Sequence, residues 1–517
     1  MILRNVTLQG KSIDFANGRD HEDNNVITIL SGNNGSGKSR LLQVICSTFI
    51  TVSLKSRPRC FFTNIDNFSR LDQLENLSYT IDGVYFSISS SLDKNDISSA
   101  RERNVHASLG ERNYDLGLKI INSTSKNLIE PSKVIAVTSS PYDKFPFLSA
   151  SEDLSPYVYL GSRGVSSYTR DRTYLRYKFD QLGFSLIKLL IKPMHGKFDL
   201  SNVLNFLNFS NSFTLKLSIN KGVLEGGNSI TPERILNLVR KVRHRKEKSY
   251  REFNFLDDNI SEEIYNSLLR VVGEDKLKKI RDIDGFEFED CEYEFEEHID
   301  LSEFKNKDIY RSLFTLSKYD VLNLDDVIFT KSNSSQKFLL SEASTGELNL
   351  IFTISSISGE IEDNSLILID EPELSLHPEW QINFLSLLKS AFCKYKKCHF
   401  IIATHSPSIT SSIPDNNAYI VSLGSGDAKL MTSDKYHSRS ADFLLAKVFN
   451  SPGNSNEYLI KTAINIFFKV KENKCFDEND LENLKLLNDI VNYLPEEDPV
   501  LELIEMINEV YVKYGRY

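Results

Sequence analysis

Gly32, Asn33, Asn34, Gly35, Ser36, Gly37, Lys38 and Ser39 follow, one residue on, the largely apolar run Val26-Ile27-Thr28-Ile29-Leu30. No other stretch limits the fold as tightly. It implies a buried strand, then a glycine-rich turn, then a helix. Gly32, Gly35 and Gly37 permit positive φ, so successive backbone N–H groups can close around an anion. A helix beginning near Ser39 aims its positive end at the same point. Lys38 adds a point charge suited to β- and γ-phosphates, and the Ser39 hydroxyl suits Mg²⁺. A chance glycine-rich turn does not account for Lys and Ser in register after a strand. The spacing predicts a nucleoside triphosphate site running from Gly32 through Arg40.

Its partners are expected far along the chain. Leu366-Ile367-Leu368-Ile369 reads as a second buried strand and ends in Asp370-Glu371-Pro372-Glu373. Acidic residues at the carboxyl end of a parallel strand suit Mg²⁺ and the attacking water. Asp370 is the candidate metal ligand beside Ser39, and Glu371 the candidate general base. An ordinary acidic helix cap would explain Asp370 alone. Phe400-Ile401-Ile402-Ala403 reads as a third such strand, followed by Thr404-His405-Ser406-Pro407. His405 can there hydrogen-bond the γ-phosphate, although a lone His is more often structural. Ser344-Thr345-Gly346-Glu347 opens a predicted helix shortly before the acidic strand, and a helix start binds anions. Ser344, Gly346 and Glu347 are therefore further nucleotide candidates.

The order G-N-N-G-S-G-K-S, A-S-T-G-E, L-I-L-I-D-E-P-E-L-S-L-H-P, A-T-H-S-P resembles the ABC-type ATPase heads, closest to the SMC, RecF and OLD-like group. The resemblance implies an α/β P-loop NTPase fold with ATP and Mg²⁺ as cofactors. It implies that Ser344 and Gly346 reach the nucleotide of a second subunit, that Ser375 to His377 cross the dimer interface, and that His405 is the switch. The family signature usually reads L-S-G-G-E or L-S-G-G-Q. Here Ala343 replaces Leu and Thr345 replaces the first Gly. Gln181 is a candidate for the family's Gln loop by position only.

The 517 residues suffice for two or three compact units, and 40% hydrophobic content is globular. Six scattered cysteines carry no paired C-x-x-C pattern, which argues against zinc and against a disulfide framework. No apolar run reaches the length of a membrane span, and no signal-peptide core opens the chain. A cytoplasmic location is expected. A net charge of -10 excludes a surface basic throughout, but local patches remain.

The expected organisation is a first head lobe over residues 1–163 and a mainly helical insert over 164–330. A second lobe follows over 331–437, then a helical tail over 438–517. Asp82-Gly83 marks a hairpin turn. Residues 172–192 and 230–280 show helical spacing. Leu481, Leu484, Leu487, Ile490, Leu494, Leu503, Ile507 and Val510 mark apolar stripes in the tail. Two charged segments stand out in the insert. Arg240 to Arg251 is strongly basic and, with the aromatic and cationic run Tyr168 to Lys178, suits nucleic acid; a solvated helix face is the alternative. Asp282 to Asp300 alternates acidic and aromatic residues, as a half-buried strand with one acidic face. It can dock a basic partner or the chain's own basic run.

After His405 there is no Asp-x-Asp of the Toprim nuclease kind, and the chain has no H-N-H nuclease pattern. A short insert, a helical tail and no built-in nuclease resemble PtuA, the ATPase family of Septu antiphage systems, which also occurs beside some retron reverse transcriptases. That resemblance implies a separate HNH nuclease (PtuB-like) and a homodimer or higher oligomer formed through the heads. For retron members it also implies contact with a reverse transcriptase and its single-stranded multicopy DNA. A RecF-like repair ATPase and an ATP-stabilised scaffold with little turnover are the alternatives.

Overall fold

The computed structural model describes residues 1–18, 24–56, 65–66, 73–90, 118–122, 129–140, 142–148, 156–161, 174–191, 200–220, 232, 233, 235, 237, 258–274, 294–300, 307–319, 321–334, 336–424 and 428–515. Its centre is a seven-stranded sheet. The strands are β1 (Val26–Ser31), β2 (Val134–Thr138), β3 (Tyr157–Leu160), β4 (Leu366–Asp370), β5 (His399–Ala403), β6 (Ala418–Ser422) and β7 (Lys429–Thr432). Their spatial order is β3-β2-β4-β5-β1-β6-β7, parallel except where β7 pairs antiparallel to β6.

Every residue of β1, β2, β4 and β5 is buried. Continuous apolar runs are what a parallel sheet covered on both faces requires. The side chains divide by period two. Ile27, Ile29, Ile367, Ile369 and Ile402 enter one core, while Leu30, Leu366, Leu368, Ile401 and Ala403 enter the other. Helix α1 (Lys38–Ser56) lies in the second core with a five-stranded antiparallel sheet that includes Ile2–Leu8, Leu74–Ile81 and Val84–Ser90. The turn between the last two strands is Asp82-Gly83 with φ of 50 and 76, both positive as a type I′ hairpin needs.

The first core packs α2 (Tyr174–Ile191), α3 (Thr345–Glu360) and α4 (Pro378–Ala391) onto the other face. α2 and α3 cross closely. A Cβ built on Gly359 of α3 would stand 3.0 Å from the Cα and carbonyl oxygen of Ser185. One helical turn away, Lys188 donates to both carboxylate oxygens of Glu360 at 2.8 Å.

The expectation of a mainly helical insert omits a sheet. Residues Glu294–Asp300, Phe209–Ile219, Leu322–Lys331 and Lys337–Leu339 form a four-stranded antiparallel sheet in that order. From Phe213 to Ile219 buried and half-buried side chains alternate, the period of a strand. Helices do cover Tyr174–Ile191 and Asp258–Val272. The core of this region is continuous with that of the second head lobe. The basic run Arg240 to Arg251 lies outside the described residues. Of Tyr168 to Lys178 only the backbone of 174–178 is described. Of the acidic segment the described part is the edge strand Glu294–Asp300, where Glu296 stands opposite Lys216.

The tail is helical, with helices Ala441–Lys447, Glu457–Asn473, Glu478–Ile490 and Pro499–Tyr514. Leu484, Leu487, Ile490 and Ile507 enter its own core. Leu481, counted in the predicted stripe, is instead 41% exposed. Among the described residues no helix is long and apolar enough to cross a membrane.

Gly359→Leu should lower the unfolding free energy by about 3 kcal/mol, because two helix backbones meet there and neither has room to retreat. Chemical denaturation checks this. An unchanged midpoint would show that the crossing tolerates a side chain.

Candidate nucleotide-binding site

Strand register brings the distant motifs to one edge. Leu30 pairs with Ala403, Ala403 with Asp370, and Asp370 with Thr138. The glycine-rich turn, the acidic turn and the histidine turn therefore all leave the sheet at its carboxyl end, where open α/β sheets bind ligands. Backbone bonds fix the three to each other: Thr404 N–H donates to Leu30 O at 3.1 Å and Glu371 N–H to Ala403 O at 2.9 Å.

Gly32, Gly35 and Gly37 adopt φ of 148, 80 and 96. At Gly32 a Cβ would stand 2.5 Å from the carbonyl oxygen of Leu423, so this position demands glycine on two counts. Asn33, Asn34 and Gly35 are exposed at the crest, Ser36 and Gly37 are half-buried, and Arg40 is exposed. Lys38 opens α1 and is buried, with Nζ 2.8 Å from Gly32 O, 3.3 Å from Asn33 O and 3.4 Å from His405 Nδ1. Ser39 Oγ donates to Asp370 Oδ1 at 3.1 Å. Two residues 331 positions apart thus meet as hard oxygen donors, the set Mg²⁺ takes.

The site is electrostatically tense. Burial pulls the Lys38 ammonium down to about 8, against the opposing pull of Asp370, Glu373 and Glu371. Burial pushes Asp370 up to about 7, opposed by the Ser39 hydrogen bond and reinforced by Glu371, Asp143 and Glu373. His405 is lowered, first by burial and then by Lys38, which keeps the ring neutral near pH 7. Glu371 adopts φ of 51, a left-handed conformation rare for a residue with a Cβ and held here by its bond to Ala403.

Ser344 is exposed and caps α3. Its hydroxyl accepts from Glu347 N at 3.3 Å, and Glu347 Oε2 accepts from Ser344 N at 2.9 Å, a reciprocal capping box. The carboxylate of Glu347 therefore serves its own helix start. A Cβ on Gly346 would meet Ser375 O at 2.6 Å and the Trp380 ring at 2.9 Å. Ser375 itself holds φ of 64, and Ser375 and His377 are exposed. Gln181 lies in α2, the helix that crosses α3.

Two carboxylates, the buried Asp143 and the half-buried Glu373, escaped the sequence reading. Asp143 follows β2, accepts from Phe145 N at 2.9 Å and from Tyr159 Oη at 2.7 Å, and acts on Asp370 through its charge. Glu373 accepts from Thr404 Oγ1 at 2.8 Å and from His405 N at 2.6 Å. Its place in D-E-P-E was the available signal. A separate cavity of about 530 Å³, lined by Met1, Arg4, Asp82 and Lys397 among others, contains none of the site residues.

Residues 27–411 match the family model described as "AAA domain, putative AbiEii toxin, Type IV TA system". The chain belongs to this family. Among its relatives, "Retron Ec83 probable ATPase" of Escherichia coli is 31% identical over 110 residues, 19% of each chain. "Protein ea59" of Escherichia phage lambda is 35% identical over 123 residues, 22% of this chain and 23% of that one. The chain thus spans about a fifth of the length of these two relatives. "Retron Vc95 probable ATPase" of Vibrio cholerae serotype O1 biovar El Tor is 23% identical over 445 residues, 81% of this chain and 73% of that one. The SMC head domain from Thermotoga maritima is 12% identical, covers 84% of this chain and 99% of its own, and has a TM-score of 0.29. In this chain, as in P-loop folds, the glycine-rich loop joins a central parallel strand to the helix that follows it.

The Lys38 value fixes a pH dependence. Below about pH 8 the free site carries its cation; above it the cation is lost, and a bound polyphosphate restores it. Nucleotide affinity should hold between about pH 7, where Asp370 titrates, and pH 8, and then fall, approaching about tenfold per pH unit, with a proton taken up at Lys38 on binding. Titration calorimetry in buffers of different ionisation enthalpy checks both signs. A flat profile would contradict the buried-cation account.

Proposed function

We propose that the chain binds ATP with Mg²⁺ at Gly32–Ser39 and hydrolyses it, and that two heads close around the nucleotide to switch a separate effector nuclease in antiphage defence. The observation that carries the reading is the meeting of Ser39 Oγ with Asp370 Oδ1, 3.1 Å apart, beside the buried Lys38. Ser39 and Asp370 would hold Mg²⁺, which when bound neutralises charge on the phosphate oxygens. The N–H groups of the turn and the start of α1 orient the polyphosphate. Lys38 leaves Gly32 O and Asn33 O to meet its outer oxygens. Glu371 takes the proton of the attacking water, and its constrained backbone aims the carboxylate. His405, neutral and next to Lys38, donates to the γ-phosphate and registers its loss.

The exposed Ser344 and the exposed crossing loop at Ser375 support pairing of heads. Each site would then be completed by the partner's signature. The retron-associated relatives support a defence setting. On this reading the switched effector is an HNH nuclease, and a reverse transcriptase with its single-stranded multicopy DNA is a further partner.

Glu371→Gln should keep ATP binding and reduce hydrolysis by at least about a hundredfold, the usual contribution of a general base. Single-turnover assays check it, and turnover at the parent rate would assign the base elsewhere. Ser344→Arg should leave ATP affinity of the single chain unchanged while abolishing ATP-dependent pairing, read by light scattering. The control Ser344→Gly loses the cap at a cost of a few tenths of a kcal/mol and separates helix fraying from the clash. Pairing that survives Ser344→Arg would contradict the sandwich.

A further inference from the structure

Glu373 is a half-buried carboxylate to which the scheme above gives no task. Its two oxygens are each committed to a donor on the histidine turn, Oε2 to Thr404 Oγ1 and Oε1 to His405 N. The bonds continue in a ring. Thr404 Oγ1 accepts from Ser406 N at 2.9 Å, and Ser406 Oγ donates to Gln381 Oε1 at 2.6 Å. Gln381 Nε2 donates to Leu376 O at 3.0 Å, and Leu376 N donates to Glu373 O at 3.0 Å. The acidic turn, the crossing loop and the histidine turn are thereby tied into one body. Removing Glu373 cuts the ring at the point nearest His405. Without that bond the His405 backbone N–H has lost its fixed acceptor, and the ring whose Nδ1 lies 3.4 Å from Lys38 Nζ has lost its pivot.

We infer that Glu373 is a positioning residue that fixes His405 against the terminal phosphate of the nucleotide, and that it acts through its two hydrogen bonds. The inference rests on the reading of His405 as the γ-phosphate contact. The chemistry it governs is discrimination of a nucleoside triphosphate from a diphosphate. A glutamine keeps the arrangement: its oxygen accepts from His405 N and its amide donates to Thr404 Oγ1. An alanine keeps neither bond.

The test uses the full chain in the Glu371→Gln background, so that ATP stays intact, and compares Mg²⁺·ATP with Mg²⁺·ADP affinities. His405→Ala and Glu373→Ala should each lower the preference for ATP roughly tenfold, the worth of one hydrogen bond to a charged group, with ADP affinity unchanged. The double variant should lose no more than either single one, because both remove the same contact. Glu373→Gln should retain the parent preference. A purely structural role would instead weaken ADP and ATP alike, overturning the inference. So would an intact ATP preference in Glu373→Ala beside its loss in His405→Ala, additive losses in the double variant, or Glu373→Gln failing like Glu373→Ala. If His405→Ala itself leaves the preference intact, the switch reading is wrong and the inference falls with it.

Discussion

The site depends on one buried cation. Lys38 is held beneath the glycine-rich turn by two carbonyl oxygens, in the field of Asp370, Glu371 and Glu373. A buried ammonium is costly unless it is paired. In this chain the carbonyls and the acidic turn supply that pairing; they follow β1 and β4, parallel strands that flank β5. The strand register is therefore the constraint that matters. A slip of one residue in β4 or β5 would turn Asp370 away from Ser39 and exchange the side chains that fill the two cores.

The same edge is joined mechanically to the rest of the head. Gly346 lets the start of α3 press on Ser375 and on Trp380, the single tryptophan of the chain. Asn349 Nδ2 donates to Leu374 O at 3.3 Å, a second tie between α3 and the acidic loop. At its far end α3 is locked to α2 through Gly359 and through the Lys188–Glu360 pair, whose carboxylate is 7% exposed. Nucleotide-dependent movement of α3 would therefore carry α2 with it, and with α2 the sheet of the insert. Trp380 sits at the junction and offers a native fluorescence probe of that movement.

What the sequence made legible was local. The runs Leu366–Ile369 and Phe400–Ala403 are continuously apolar and Val26–Leu30 is so but for Thr28, and such runs have few other uses than a covered parallel sheet. The glycine-rich turn and the Asp82-Gly83 hairpin were readable because their residue types are dictated by positive φ. Of the insert's sheet, only the acidic strand within Asp282 to Asp300 was read; the rest was missed for a physical reason. Phe209–Ile219 carries the period of a strand, but its partners begin at Glu294 and Leu322, and pairing across such separations leaves no mark in either segment. Glu347 shows a different ambiguity. An acidic residue three positions after Ser344 fits both a signature motif and a capping box, and in the free chain it forms the box. Asp143 carried no signal as a site residue and Glu373 only its place in D-E-P-E, because their roles come from hydrogen bonds that only the folded chain makes.

Calorimetric titration of Mg²⁺·ATP into the parent chain and into Lys38→Ala tests the central claim most directly. The account predicts one nucleotide per chain for the parent and no detectable binding for the variant, with the melting temperature of the free protein preserved. Undiminished affinity in a folded Lys38→Ala chain would contradict it, because the nucleotide would then sit somewhere other than the turn from Gly32 to Ser39.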